Sequence, residues 1–332
     1  HADQLIARYH AFPRYMDQYL EDLRDGVRDG RTATRMATER VVGQLRALLA
    51  TPPPDSALAA PATAAISGKA SQTEGWAMDA TQAEALLDRA KAALPRAFGR
   101  LPKIPCVVKP IEDYREKDSV AAFYYPPSGD GSRPGVFYVN TYDPPSRPRH
   151  TMAALTFHEA VPGHHLQIAL ATENTGLPAF RRLGADVTAY VEGWALYTER
   201  LADELGLYPD DRARFGMLGY QAWRACRLVV DTGMHHLRWS RQQGIDFFLS
   251  NVGLTERETV NEVDRYIIWP GQALSYKVGQ REIESLRRAA AATLGERFDV
   301  KAFHDEVLRH GAIPLSTLRA AVQDWTARVL PA

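Results

Sequence analysis

The chain is poor in cysteine: two residues in 332, Cys106 and Cys226, with no C-x-x-C pair. That excludes a thiolate zinc site and a disulfide scaffold, because both need clustered thiols. Each cysteine is expected to be a small buried hydrophobe. Charge of either sign is not in excess, with 40 Lys+Arg against 40 Asp+Glu. A neutral chain without a basic stripe argues against nucleic acid as a partner. No apolar run reaches the roughly 20 residues that span a bilayer, so no transmembrane segment is expected. There is no repeat period, and no secretory leader is readable. The chain opens on His1 rather than Met, as a processed, truncated or tagged end would. Compartment, cytoplasmic or exported, stays open at this point, as does oligomeric state.

What is present is a globular composition, 45% hydrophobic and 24% charged, in a chain long enough for one large domain or two closely packed ones. Residues 1–50 read as an N-terminal helical segment. Leu5, Ile6 and Tyr9, then Tyr15, Tyr19 and Leu23, then Val41, Val42, Leu45 and Leu48 recur at helical spacing. Pro13 and the Asp29-Gly30 turn divide it. Residues 51–75, rich in Pro, Ala and Ser, read as a loop or linker. Residues 76–332 read as the main domain, with an Ala/Leu-rich helix over 80–98. Three β-branched or aromatic runs between 104 and 142 predict short strands, the last at Val136–Thr141. From Thr151 onward the pattern is helical. Interruptions are expected at Pro162-Gly163, Gly206–Asp211, Gly253–Thr255, Pro270-Gly271 and Ile313-Pro314. The fold class is therefore mainly α (α+β): a helical protein with a small antiparallel or mixed sheet beside the active-site helices.

Three of the ten histidines fall in one eight-residue window, HEAVPGHH, at His158, His164 and His165, with Glu159 beside the first. A His-Glu pair on a helix with a second histidine nearby is the core of the zinc hydrolase pattern H-E-x-x-H. Neutral imidazoles bind Zn²⁺, and the adjacent carboxylate accepts a proton from an activated water. The spacing departs from that pattern, since position 162 is proline. On a straight helix His158 and His164 would lie about 240° apart. His158 and His165 would share a face but stand about 10.5 Å apart along the axis. Pro162 deprives the His158 carbonyl of its helical donor, and Gly163 permits unusual backbone angles. A break or bulge there would loop out two residues and bring His164 to the second ligand position. His165 would then point elsewhere, toward a supporting or substrate contact.

A third ligand is expected from a second helix. YVEGWALYTERL, residues 190–201, reads as a helix carrying Glu192 and, two turns on and on the same face, Glu199. Glu192 stands beside Gly193, which allows close approach of another element. A glutamate from this helix would complete a His₂Glu site with one open position.

The segments TFHEAVPGHHLQ, YVEGWALYTERL, VVDTGMHHLRWS and YIIWPGQALSYKVG occur in this order. Together they resemble a family of bacterial proteins catalogued as a domain of unknown function. That family is similar to the gluzincin metallopeptidases, the group that includes thermolysin and the thimet-type oligopeptidases. The resemblance covers residues 104–330 well and 3–50 more loosely. It implies a catalytic domain over 76–332, Zn²⁺ as cofactor, His158, His164 and Glu192 as its ligands, and Glu159 as general base. Gluzincins place a Tyr or His donor opposite the metal to stabilise an oxyanion; the candidates are Tyr276 and His235. Asp231, one turn before His235, is a candidate to orient it or a metal-bound histidine. Arg227, Lys277 and Arg281 are candidates to bind a peptide carboxylate. By the same resemblance the strand Val136–Thr141 would be an edge strand that pairs with extended substrate. The turn SGDGSRPG lacks the strand and helix context of a phosphate loop.

The expected function is zinc-dependent hydrolysis of a peptide or related amide substrate. Two alternatives stay open: metal-dependent cleavage of a non-peptide amide or C–N bond in a small metabolite, and a non-catalytic binding protein.

Overall fold

The computed structural model describes residues 80–142, 149–184 and 187–330. The segment expected to be helical over 1–50 and the linker over 51–75 lie outside the described residues. In chain order the elements are α1 (Ala80–Ala93), β1 (Cys106–Pro110), β2 (Ala122–Tyr125), β3 (Gly135–Val139), α2 (Met152–Glu159), α3 (His164–Glu173), α4 (Ala179–Leu183), α5 (Thr188–Glu204), α6 (Asp211–His235), α7 (Arg241–Asn251), α8 (Glu256–Ile268), α9 (Gln272–Leu294), α10 (Val300–Leu308) and α11 (Leu315–Val329). Among the described residues the protein is mostly helical with one small mixed sheet, as its patterning predicts. No described helix is long and apolar enough to cross a membrane. The chain divides into two compact units. Of the described residues, one holds Leu218–Ala273 and the other those of 80–217 and 274–330.

The second of these units holds the sheet. Its order is β1-β3-β2, with β1 parallel and β2 antiparallel to β3. The strand at 135–139 is therefore central, and the expectation that it forms a free edge is corrected. The cause is visible in its side chains: Val136, Phe137 and Val139 are all buried, so both faces are covered. A strand buried on both faces reads as a continuous apolar run and sits inside a sheet. The edges are β1 and β2. Asn140, just past β3, is fully buried, and its side-chain amide donates to the carbonyls of Glu116, Ser119 and Val120. Those bonds shape the connection into β2.

Helices cover the sheet. In α1, Ala83, Leu87 and Ala90 recur at helical spacing and are buried, facing β1 and α2. The helix α2 packs against α5 and β2. Tyr190 of α5 donates its hydroxyl to the Val307 carbonyl in α10 at 2.7 Å. Cys106 is free and buried, and burial pushes its thiol up to about 12.

In the other unit the described residues are the C-terminal part of α6 with α7 and α8. Both shorter helices begin with a reciprocal capping box, Ser240 with Gln243 and Thr255 with Glu258. Each box satisfies two of the amide donors left open at a helix start. Phe248, Val263 and Tyr266 are buried between them. Cys226 is also free and buried.

Candidate metal centre

The helix carrying His158 stops at Glu159, and the next begins at His164. The break expected at Pro162-Gly163 is present, and the Val161–Pro162 peptide is cis. Three contacts hold it. The His165 amide reaches across the gap to the Ala160 carbonyl at 3.0 Å. The Trp194 indole N–H donates to the Pro162 carbonyl at 3.0 Å, which satisfies a buried acceptor in a stretch with no helical ladder. Gly163 packs against the end of α2 so closely that a Cβ there would lie 1.9 Å from the His158 carbonyl oxygen. Only glycine fits.

The break turns His164 toward His158, with ring centroids 4.8 Å apart and planes at 86°. His165 turns the other way. Its ring bonds the Ile104 carbonyl at 3.0 Å and the Tyr124 hydroxyl at 2.9 Å. It is a strut between α3 and the sheet. Burial takes its pKa down to about 4, so the ring is neutral and uses one nitrogen as donor and one as acceptor.

Glu192 of α5 completes the group. The Nε2 atoms of His158 and His164 each lie 3.5 Å from Glu192 Oε2. One ligand atom from each of the three residues falls within 4.8 Å of the other two. Donors about 2.1 Å from a shared tetrahedral centre stand about 3.4 Å apart, which the two His–Glu192 separations of 3.5 Å match. Two imidazoles and one carboxylate are also the donor types of a catalytic zinc site with an open position.

Glu199, two turns further along α5, has a different place. Its Oε1 lies 2.8 Å from His158 Nδ1, and its side chain is wholly buried. A carboxylate on Nδ1 fixes a proton there, so Nε2, on the side of Glu192, is the nitrogen left for a metal ion. The two glutamates that share a face in sequence thus divide into a ligand position and a support. Burial opposes charge on His158, but the Glu199 hydrogen bond and the neighbouring carboxylates of Glu192 and Glu159 outweigh it and raise its pKa to about 9. Burial likewise opposes charge on Glu192, yet the two imidazoles 3.5 Å away hold its carboxyl well below the usual range. Glu159, Glu192 and Glu199 thus place negative charge around His158.

Glu159 ends α2 and is partly exposed. Tyr276 of α9 is buried, with its ring nearly parallel to that of His158 at 18° and 6.1 Å between centroids. The approach of α9 depends on two glycines. A Cβ on Gly193 would lie 2.4 Å from the Gly279 Cα, and one on Gly279 would lie 1.8 Å from the Ala189 carbonyl oxygen.

The remaining expected residues have other partners. His235 belongs to the other unit, where its Nε2 bonds the Tyr266 carbonyl at 2.8 Å. Asp231 accepts from the Gly271 amide at 3.0 Å and so ties down the Pro270-Gly271 turn. Arg227 is buried against the Trp223 ring and donates to Tyr266 and Glu262. Lys277 donates to Gln280 at 2.8 Å. Trp194 as a brace of the break was not anticipated; the signal is its place next to Glu192-Gly193.

Residues 1–85 and 69–322 match the family described as "Bacterial protein of unknown function (DUF885)". Among solved structures, the chain is similar to a "putative lipoprotein" from Colwellia psychrerythraea, with 32% identity and a TM-score of 0.77. That alignment covers 96% of this chain and 52% of the other. A second, from Shewanella oneidensis, shares the fold at 20% identity and a TM-score of 0.66, over 97% of this chain and 56% of the other. The chain thus spans about half the length of the structures it matches. No curated protein matches it.

Proposed function

Because the chain belongs to this bacterial family of unknown function, membership assigns no reaction, and we propose from its site that it is a zinc-dependent hydrolase of peptide or related amide bonds. The observation that carries the reading is the convergence of His158, His164 and Glu192 within 4.8 Å, with Glu159 following His158 in the chain. The motif similarity to gluzincin peptidases supports it.

His158, His164 and Glu192 would hold the ion. Zinc is favoured by the donor set of two neutral imidazoles and a carboxylate. A bound zinc ion supplies Lewis-acid polarisation of the scissile carbonyl and makes water easier to deprotonate. Glu199 keeps His158 in the tautomer that ligation needs. Glu159 takes the proton from the attacking water and returns it to the leaving amine nitrogen. Tyr276, stacked beside His158, donates its hydroxyl to the oxygen that gains charge as the carbonyl becomes tetrahedral. His235, the other donor considered, has its Nε2 engaged by the Tyr266 carbonyl. The "putative lipoprotein" relative at 32% identity supports a site of action outside the cytoplasm.

The test is a panel of free dipeptides, blocked peptides and non-peptide amides, assayed before and after chelation and with Glu159→Gln. Hydrolysis lost on chelation, restored by zinc and abolished by Glu159→Gln agrees with the reading. Hydrolysis that survives both treatments, or none on any amide, contradicts it.

A further inference from the structure

We propose that Gln167 is the positioning residue of His164, its side-chain oxygen accepting the Nδ1–H of that imidazole directly or through one water; this rests on the metal-hydrolase reading above. The two histidines of the site are supported unequally. His158 Nδ1 has the Glu199 carboxylate at 2.8 Å. His164 Nδ1 is sealed from solvent and has no hydrogen-bond partner among the described residues. Gln167 Oε1 is also sealed and also without one, on a side chain only 3% exposed.

The two atoms are chemically complementary. His164 turns Nε2 toward Glu192, so when Nε2 ligates, Nδ1 carries the proton and is a donor. Gln167 Oε1 is an acceptor. Gln167 is three residues after His164 on α3, and side chains three apart on a helix are neighbours. Helical side chains also lean toward the N-terminus, so Gln167 lies over the turn that begins with His164. Two buried groups that need opposite partners thus stand one turn apart beside a candidate metal centre. Leaving both unpaired is unfavourable, and a bond between them removes both penalties.

A neutral acceptor also suits the charge of the site. Glu159, Glu192 and Glu199 already act on His158. An amide oxygen orients the imidazole without adding a fourth negative charge to a buried cluster.

The experiment is cobalt titration of the metal-free full chain, read by visible absorption and by competition with a chromophoric chelator. The proteins are the unaltered chain, Gln167→Met and Gln167→Glu. Methionine keeps the length of the side chain and removes the acceptor; glutamate keeps the acceptor. We expect Gln167→Met to bind cobalt about 10–100-fold more weakly, with altered absorption bands, as loss of a ligand's supporting partner does. We expect Gln167→Glu to restore binding. The metal-free Gln167→Met protein should stay folded at the temperature of the titration, so that weaker binding reports the site and not the fold. Equal affinity and an unchanged spectrum in Gln167→Met overturn the assignment alone. So does a lowered melting temperature with metal loss in proportion to the unfolded fraction. No cobalt binding by the unaltered chain overturns the metal reading and this assignment with it.

Discussion

His158 Nδ1 lies 2.8 Å from Glu199 Oε1, a carboxylate with no solvent exposure. This bond decides which nitrogen of His158 faces the other two ligand positions. Glu199→Gln keeps an acceptor but loses the charge; Glu199→Ala leaves a buried donor unpaired. Zinc affinity is expected to fall about 10–100-fold in Glu199→Ala and less in Glu199→Gln. Chelator competition at fixed pH measures both, and equal affinities across the three proteins would remove Glu199 from the site.

The crossing of α5 and α9 is set by Gly193 and Gly279, which leave no room for a methyl group. Gly279→Ala would place a carbon against the Ala189 carbonyl oxygen, a backbone atom that cannot rotate away. The helices must separate, at a cost of about 1–3 kcal/mol or more, and Tyr276, one turn earlier on α9, moves with them. Denaturant unfolding is expected to show that loss, and any amidase activity is expected to fall further than the folded fraction does.

Trp194 links α5 to the break through the Pro162 carbonyl. Trp194→Phe keeps an aromatic ring but leaves that carbonyl without its donor, at about 1–3 kcal/mol. Because the bond bears on the segment that presents His164, zinc affinity should fall as well. Unchanged affinity in a destabilised Trp194→Phe protein would separate the break from the metal site.

Stability should decline in mild acid. His304 is fully buried, donating from Nδ1 to the Ala97 carbonyl at 2.8 Å and meeting the Tyr197 hydroxyl at 2.6 Å through Nε2. Burial lowers its pKa from 6.5 to about 4. The unfolded chain therefore takes up a proton at a pH where the folded one does not. The stability held by neutral His304 is present above pH 6.5 and is lost as pH falls toward 4. A displacement of that size corresponds to roughly 3 kcal/mol, and His165, lowered to about 4 by burial as well, adds in the same direction. Unfolding free energies from pH 7 to 4 are expected to slope downward, and His304→Gln should flatten the slope. A slope unchanged in that variant would contradict the assignment.

Much of the site was legible because its residues break local rules. Proline four residues after His158 is incompatible with a continuous helix, and Gly163 after it predicts the break that the structure contains. Glu192 was legible from its apolar neighbours and from Gly193. The division of labour between Glu192 and Glu199 was not, because two residues seven apart share a helix face, and only the position of α2 distinguishes them. Strand existence was legible from β-branched runs, but strand order was not. The run Val136–Val139 carried the sign of a central strand, apolar residues on both faces, and the edge expected there came from family resemblance instead. The helix end at His235 has no proline or glycine to announce it; Ser240 and Gln243, as a capping box, announce the next start. The tie between Asp231 and Gly271 is tertiary and left no local mark.

One zinc ion held by His158, His164 and Glu192 underlies the proposed function. The most direct test is metal content by plasma mass spectrometry, on full chain purified without immobilised metal, beside His158→Ala. About one zinc per chain is expected in the unaltered protein, lost in His158→Ala with the fold retained. An unaltered chain that holds no zinc after loading and dialysis, or a His158→Ala chain that holds as much, would contradict it.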